Sequence, residues 1–445
     1  MMKERKNTGF NSKLGVVLAA AGSAIGLGNI WKFPYEAGQN GGGAFLLVYL
    51  LCVLLFGLPL LLAELFIGRK AGQSTFSAFR AISGSNRWQW LGWWSALTVL
   101  VITVFYFVVT GWCVDYLYES FIYSYQGMGT DSLLSFFTEN ISDTPKMLVC
   151  SITPVLITAA ILWFGVSSGI ERLSKILMPL LLLMMTLMTI HVLLLEGSGT
   201  GLRFLFAPDF SQITPAVIMK AAGQCFFSLS VGLGLMITYG AYMPTDQDAT
   251  KTALMVVSLD TLVALLAGVI IFPAVFAFGF NPAEGPQLVF VVLPEVLQHM
   301  AFPWLSGVLF FLLLFIAALT STISLMEVIV AGIMELSHGK RSRHKSVLIA
   351  AAVVCTFVAL FIIFSRYNLF EWSDMLVTTI MMPLGALAMS LFIGWFMPMQ
   401  GKELVPYSET RYKRWLRPAF VFTLRWIVPI AIILIFLNGI GALRL

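Results

Sequence analysis

The chain has 445 residues, 59% of them hydrophobic and 11% charged, with a mean hydropathy of +0.89. Soluble globular domains carry about 25% charged residues, so the composition excludes that class, and a net charge of +5 held mostly in short loops leaves no footprint for nucleic acid. Eleven apolar segments, each near the ~20 residues a helix needs to cross a bilayer, point to an all-α polytopic membrane protein. Strands fit poorly, because 44–56 and 347–363 show no period-two alternation.

The predicted segments run 12–36, 43–68, 90–121, 147–165, 170–195, 214–243, 252–280, 303–336, 346–364, 372–397 and 419–440. Segment one reads AAAGSAIGLGNIWKFPYE at its centre, with Gly22, Gly26 and Gly28 followed by Asn29 and Lys32. Glycine costs about 1 kcal/mol relative to alanine within a helix. Gly22 to Gly26 is also a GxxxG, the pattern that lets helices pack closely, and spacing alone leaves packing and a helix break both open. Segment five holds Gly169 and Pro179, the first loosening and the second interrupting the helix ladder. Segment six repeats the first motif as Ser230-Val231-Gly232-Leu233-Gly234, beside the polar Gln224 and Ser228. Polar groups at such depth face a cavity or one another, and carbonyls freed by a break need partners that lipid does not supply. A bound cation would be such a partner.

Paired glycine-interrupted segments in corresponding halves point to inverted repeats. Segments one to five would form the first repeat (12–195). An external loop and segments six to ten would form the second (196–397), with 398–445 adding a cytoplasmic loop and one more span. Lys3, Arg5, Lys6 and Lys13 lie in the first eleven residues or just beyond, and the even-to-odd loops are rich in Lys and Arg. The positive-inside rule then places the N-terminus in the cytoplasm and the C-terminus outside. The five cysteines and four histidines are scattered without disulfide or metal-ligand spacing. No GxxxxGK[ST] motif provides for a nucleotide, and the scattered residues supply no nucleophile–base or metal constellation, so an enzyme is not expected.

The stretches GSAIGLGNIWKFPYEAGQNGGGAF, GRKAG, PDFS, GQCFFSLSVGLG and LTSTISLME occur in order between about residues 7 and 397. In these motifs the chain resembles the neurotransmitter:sodium symporter family, in its bacterial amino-acid branch. The resemblance implies a leucine-transporter-type 5+5 inverted-repeat fold, unwound in segments one and six, with an additional C-terminal span. It implies two sodium sites. The first would use Ala24, Asn29, Ser228 and Asp260 with the substrate carboxylate; the second would use Gly22, Ile25, Ala317, Thr320 and Ser321. Hard cations prefer such oxygen ligands. Relatives that carry asparagine at the position of Asp260 bind chloride nearby, so chloride is expected to be dispensable here, although the chloride-type Tyr49, Gln224 and Ser228 are present.

By the same resemblance the substrate would lie against Ser23, Ala24 and Gly26, with its carboxylate on Tyr106 and Phe227 as a lid. Ser228, Ser230 and Ser321 would meet its amine, and Ile102, Leu233 and Leu325 would line its side chain. No acid lines that subsite, which implies a hydrophobic or aromatic L-amino acid. Lys32 and Asp374 would latch the outer gate, and Arg5 or Lys6 with Glu335 and Tyr242 the inner one. Gly169 and Pro179 would let segment five unwind. The expectation is a sodium symporter of the inner (plasma) membrane working by alternating access, with an amino acid and the lipid bilayer as partners and no obligate protein partner. A membrane sensor that binds an amino acid without moving it is the alternative.

Overall fold

A computed structural model describes residues 9–244, 246–283, 288–337, 340–364, 369–397 and 413–439, with the backbone alone at 413–417 and 439. The described residues are nearly all helical. In chain order the helices are α1 (Lys13–Ala24), α2 (Gly28–Gln39), α3 (Gly43–Ala71), α4 (Thr75–Ser83), α5 (Asn86–Ile122) and α6 (Thr130–Ser142). There follow α7 (Thr144–Trp163), α8 (Val166–Leu193), α9 (Ser198–Phe206), α10 (Pro215–Ser228), α11 (Leu235–Ala241) and α12 (Ala249–Ala277). The last are α13 (Val292–Gln298), α14 (Pro303–Leu336), α15 (Arg343–Ile363), α16 (Leu369–Phe396) and α17 (Pro418–Asn438).

Nine of these, among the described residues, are long and apolar enough to cross a membrane alone, and α1 with α2 makes a tenth span bent by 49°. Segment six is α10 and α11, helices of 14 and 7 residues separated by residues 229–234. All eleven predicted segments are therefore helical, and the first and sixth are interrupted where the glycines stand. Four short helices, α4, α6, α9 and α13, occupy the loops between spans.

Local chemistry explains the irregularities. Ser12 caps α1 by accepting the Gly15 N–H at 3.0 Å. The π-helical turns Gly28–Lys32, Val53–Gly57, Leu376–Met381 and Thr423–Ile427 each end two residues before a proline: Pro34, Pro59, Pro383 and Pro429. Proline has no N–H for the i−4 carbonyl and its ring presses on that carbonyl. One extra residue in the turn relieves both problems. Close packing fixes the second break. A Cβ on Gly68 would overlap the Ile237 carbonyl, and one on Gly240 would overlap the Leu65 carbonyl. α3 and α11 thus meet backbone to backbone, as small residues allow in a membrane.

Candidate transport site

The two interruptions face each other at the centre of the bundle. The chain turns between α10 and α11 by left-handed residues: Ser230 at φ 53°, Gly232 at 89° and Gly234 at 75°. Glycine adopts this region without a Cβ penalty, whereas Ser230 needs its surroundings to hold it. A buried carboxylate ties down the turn two residues further on. Glu64, from α3, accepts the Gly232 N–H at 2.7 Å and is fully buried. Thr75, at the start of α4, donates to the Gly234 carbonyl. Across the gap, Gln224 Nε2 donates to the Gly28 carbonyl at 2.7 Å.

Residues proposed for the first cation site are gathered by hydrogen bonds. Asn29 Nδ2 donates to Ser228 Oγ (3.0 Å), to the Asp260 carbonyl (3.0 Å) and to Asp260 Oδ1 (2.8 Å). Asn29 Oδ1 accepts the Gly26 N–H at 3.0 Å, and Ser228 Oγ donates to Asp260 Oδ2 at 2.9 Å. Tyr49 donates to Ser228 Oγ at 3.3 Å. Asn29, Ser228 and Asp260 are all buried. Ala24 ends α1, two residues before the Gly26 N–H that Asn29 accepts.

The second set gathers around α14. Thr320 Oγ1 donates to the Ala317 carbonyl at 3.0 Å, and Ser321 Oγ reaches the Ile25 carbonyl at 3.3 Å. A Cβ on Gly22 would stand 3.4 Å from Thr320 Cβ and 3.3 Å from Met178 Sδ. Met178 directly precedes Pro179, so α8 reaches this group. Gly169 lies in the π-helical turn Val166–Glu171 that opens α8.

Between the two sets is a small cavity lined by Ser23, Ala24, Gly26, Ile102, Tyr106, Phe227, Ser230, Leu233, Ser321 and Leu325, joined by Gly28 and Leu235. Of the sequence-predicted substrate residues, Ser228 alone turns away, toward Asp260. The Tyr106 hydroxyl accepts the Leu27 N–H at 3.0 Å. A side chain on Gly26 would collide with Tyr106 and Ser321, so the glycine makes room for the cavity.

Charged residues stand on either side. Lys32 Nζ is 3.7 Å from Asp374 Oδ1 and lies 4.3 Å from the centre of the Phe227 ring. On the other side Tyr242 donates to Glu327 Oε1 at 2.8 Å, and Glu335 accepts the Ser74 N–H at 2.5 Å. Tyr242 and Glu335 therefore have different partners here, and Arg5 and Lys6 lie outside the described residues.

Several residues that the sequence reading passed over stand out. Arg343 grips Glu327 with two N–H···O contacts, 3.0 and 2.6 Å, and donates Nε to the Leu162 carbonyl at 3.1 Å. Phe10 packs its ring on Tyr239 and Tyr242 and donates its N–H to the Tyr242 carbonyl at 3.1 Å. Glu171 accepts from the Asn11 N–H (2.7 Å), Ser12 Oγ (2.7 Å) and Lys175 Nζ (2.6 Å). Glu64 and Glu327 carried a signal, since an acid inside an apolar span marks function by default. Their partners come from distant elements and carried none.

The chain is similar to known proteins over nearly its whole length. The profile of the sodium:neurotransmitter symporter family matches residues 7–128 and 131–443. The chain is 38% identical over 456 residues to YhdH, an uncharacterized sodium-dependent transporter of Bacillus subtilis, covering 99% of this chain and 100% of that one. It is 34% identical over 384 residues to an uncharacterized sodium-dependent transporter of Methanocaldococcus jannaschii, covering 82% and 76%. The crystal structure of MhsT in complex with L-phenylalanine matches at 36% identity with a TM-score of 0.87, over 97% of this chain and 100% of MhsT. A bent first span, an interrupted sixth and eleven helical segments define a secondary transporter of the leucine-transporter type. The chain belongs to the sodium:neurotransmitter symporter family; it is a sodium-dependent, multi-pass membrane transporter and not an enzyme.

Proposed function

We propose that the protein imports a hydrophobic or aromatic L-amino acid with two sodium ions, by alternating access and without chloride. The observation that carries this reading is the cavity between the two breaks. Its lining combines backbone and hydroxyl groups, at Ser23, Gly26, Tyr106, Ser230 and Ser321, with the apolar Ile102, Leu233 and Leu325. A zwitterionic head fits the first and an apolar side chain the second. The presence of L-phenylalanine in MhsT is consistent with that choice.

The first sodium would sit among Ala24, Asn29, Ser228 and Asp260 and share the substrate carboxylate. Each ligand then completes the other's shell, and the coupling is reciprocal. The second would sit among Gly22, Ile25, Ala317, Thr320 and Ser321, next to α8. Unwinding of α8 between Gly169 and Pro179 would open that site to the cytoplasm. Asp260 supplies a fixed negative charge beside Tyr49, Gln224 and Ser228, and so takes the part of a bound anion. Lys32 and Asp374 close the outer side above Phe227. With the N-terminus on the cytoplasmic side of the plasma membrane, the inner latch would join Arg5 or Lys6 to Glu335, with Tyr242 nearby.

Uptake into proteoliposomes tests this directly. Labelled phenylalanine or leucine should accumulate under an inward sodium gradient, with gluconate replacing chloride at no loss. Uptake that collapses in gluconate removes chloride independence from the reading. Binding without counterflow would instead favour an amino-acid sensor.

A further inference from the structure

Segment eleven carries a charge that the transport site does not use. Arg425 stands seven residues into α17, within a span of mean hydropathy 2.5. Charged groups in that position are costly unless held and directed. Arg425 Nε donates to the Gly394 carbonyl at 2.8 Å, and its guanidinium lies 5.1 Å over the Trp395 ring. Trp395 Nε1 donates back to the Arg425 carbonyl at 3.0 Å, and the Trp395 and Trp426 rings meet edge-on at 4.8 Å. Both helices are π-helical here, over Phe392–Phe396 and Thr423–Ile427. The Gly394 carbonyl lies in the last turn of α16, and the Arg425 carbonyl stands four residues before Pro429, which has no N–H, so both can accept side-chain donors.

The other guanidinium donors have no hydrogen-bond partner among the described residues. A guanidinium has five N–H groups in a planar fork, and the described contacts use one. No carboxylate of the described residues forms an ion pair with Arg425. Trp395 is 48% exposed and Trp426 is 46% exposed, so the cluster opens to the bilayer. The chain between α16 and α17 carries Lys402, Arg411, Lys413, Arg414 and Arg417 against Glu403 and Glu409. This end is strongly basic, and basic pockets between helices suit anionic headgroups.

We propose that Arg425, Trp395 and Trp426 form a docking site for the phosphate of an anionic phospholipid in the adjoining leaflet. The guanidinium fork matches phosphate oxygens two at a time, and the two indoles suit the depth of the headgroup. The site is separate from the proposed substrate cavity and does not depend on which amino acid is carried.

The test uses the full chain in neutral detergent, titrated with phosphatidylglycerol or phosphatidylcholine, with bound lipid counted by native mass spectrometry. Phosphatidylglycerol should bind in preference. Arg425→Gln should weaken it about tenfold, and Arg425→Lys should restore only part, because an ammonium lacks the fork. Equal binding of both lipids, or an unchanged preference in Arg425→Gln, overturns the proposal. Glycerol 3-phosphate binding as tightly as phosphatidylglycerol would make this a pocket for soluble phosphate and overturn the lipid assignment. If Arg425→Gln does not fold, Trp426→Ala keeps the test open. It should lower phosphatidylglycerol binding severalfold, and unchanged binding there overturns the proposal as well.

Discussion

Asp260 is the residue on which the ion chemistry turns. It is fully buried, and its two oxygens meet Asn29 and Ser228. Asp260→Asn preserves shape and removes one negative charge. Sodium affinity should fall about tenfold, and uptake should become chloride-stimulated. Uptake that stays indifferent to chloride in this variant sinks the surrogate-anion reading. Glu327 poses the opposite case, a buried acid already paired. Glu327→Ala leaves Arg343 without its partner and should destabilise the protein by about 3–5 kcal/mol, read as thermal unfolding in detergent. Glu327→Met with Arg343→Met should regain much of that loss, since replacing both members of a buried pair by apolar groups is far cheaper than removing one.

At the scale of elements, Glu171 joins two helices that the transport cycle would move. Its carboxylate serves Asn11 and Ser12 at the head of α1 while it stands in the first turn of α8. Gly15 lies so close that any Cβ would fall on that carboxylate. Gly15→Ala and Glu171→Gln should each loosen this joint, and hydrogen exchange should rise severalfold at residues 166–171. Unchanged exchange would show the joint to be passive. Much of this scale was legible beforehand. The spans follow from hydropathy, and the interruptions follow from Gly22, Gly26, Gly28, Gly232 and Gly234 with polar neighbours. The short helices α4, α6, α9 and α13 were not legible. Each is only two to four turns of mixed composition, and such helices draw their stability from packing on the spans rather than from propensity. The Arg343–Glu327 and Glu171–Ser12 pairs were hidden for a related reason. Sequence gives the charges, and only the folded path brings residues 12 and 171 together.

The whole molecule gathers the residues of its proposed ion sites at the two interruptions, with the Lys32–Asp374 pair on one side and the Arg343–Glu327 pair on the other. If two sodium ions cross with a zwitterion, each cycle moves two charges. A potential of 100 mV then contributes roughly 2.3 kcal/mol per charge. Reversal potentials measured in proteoliposomes should shift by about 30 mV for each tenfold change in the substrate gradient, because two charges share that free energy. A shift of about 60 mV would leave one site as a structural ion.

The interruption of segment six also bears on how the chain is made. α10 and α11 have 14 and 7 residues, and at about 1.5 Å per residue neither reaches across a hydrocarbon core of about 30 Å. While the chain is being synthesised, this segment would enter lipid with the amides of its irregular stretch unsatisfied. Glu64 and Thr75 precede it by more than a hundred residues, so they are already in the membrane when Gly232 and Gly234 arrive. The order of the sequence is thus also an assembly order: the receptor for the weakest span is laid down first. A defect at Glu64 should show itself in biogenesis, as failed insertion of segment six, before any question of transport arises.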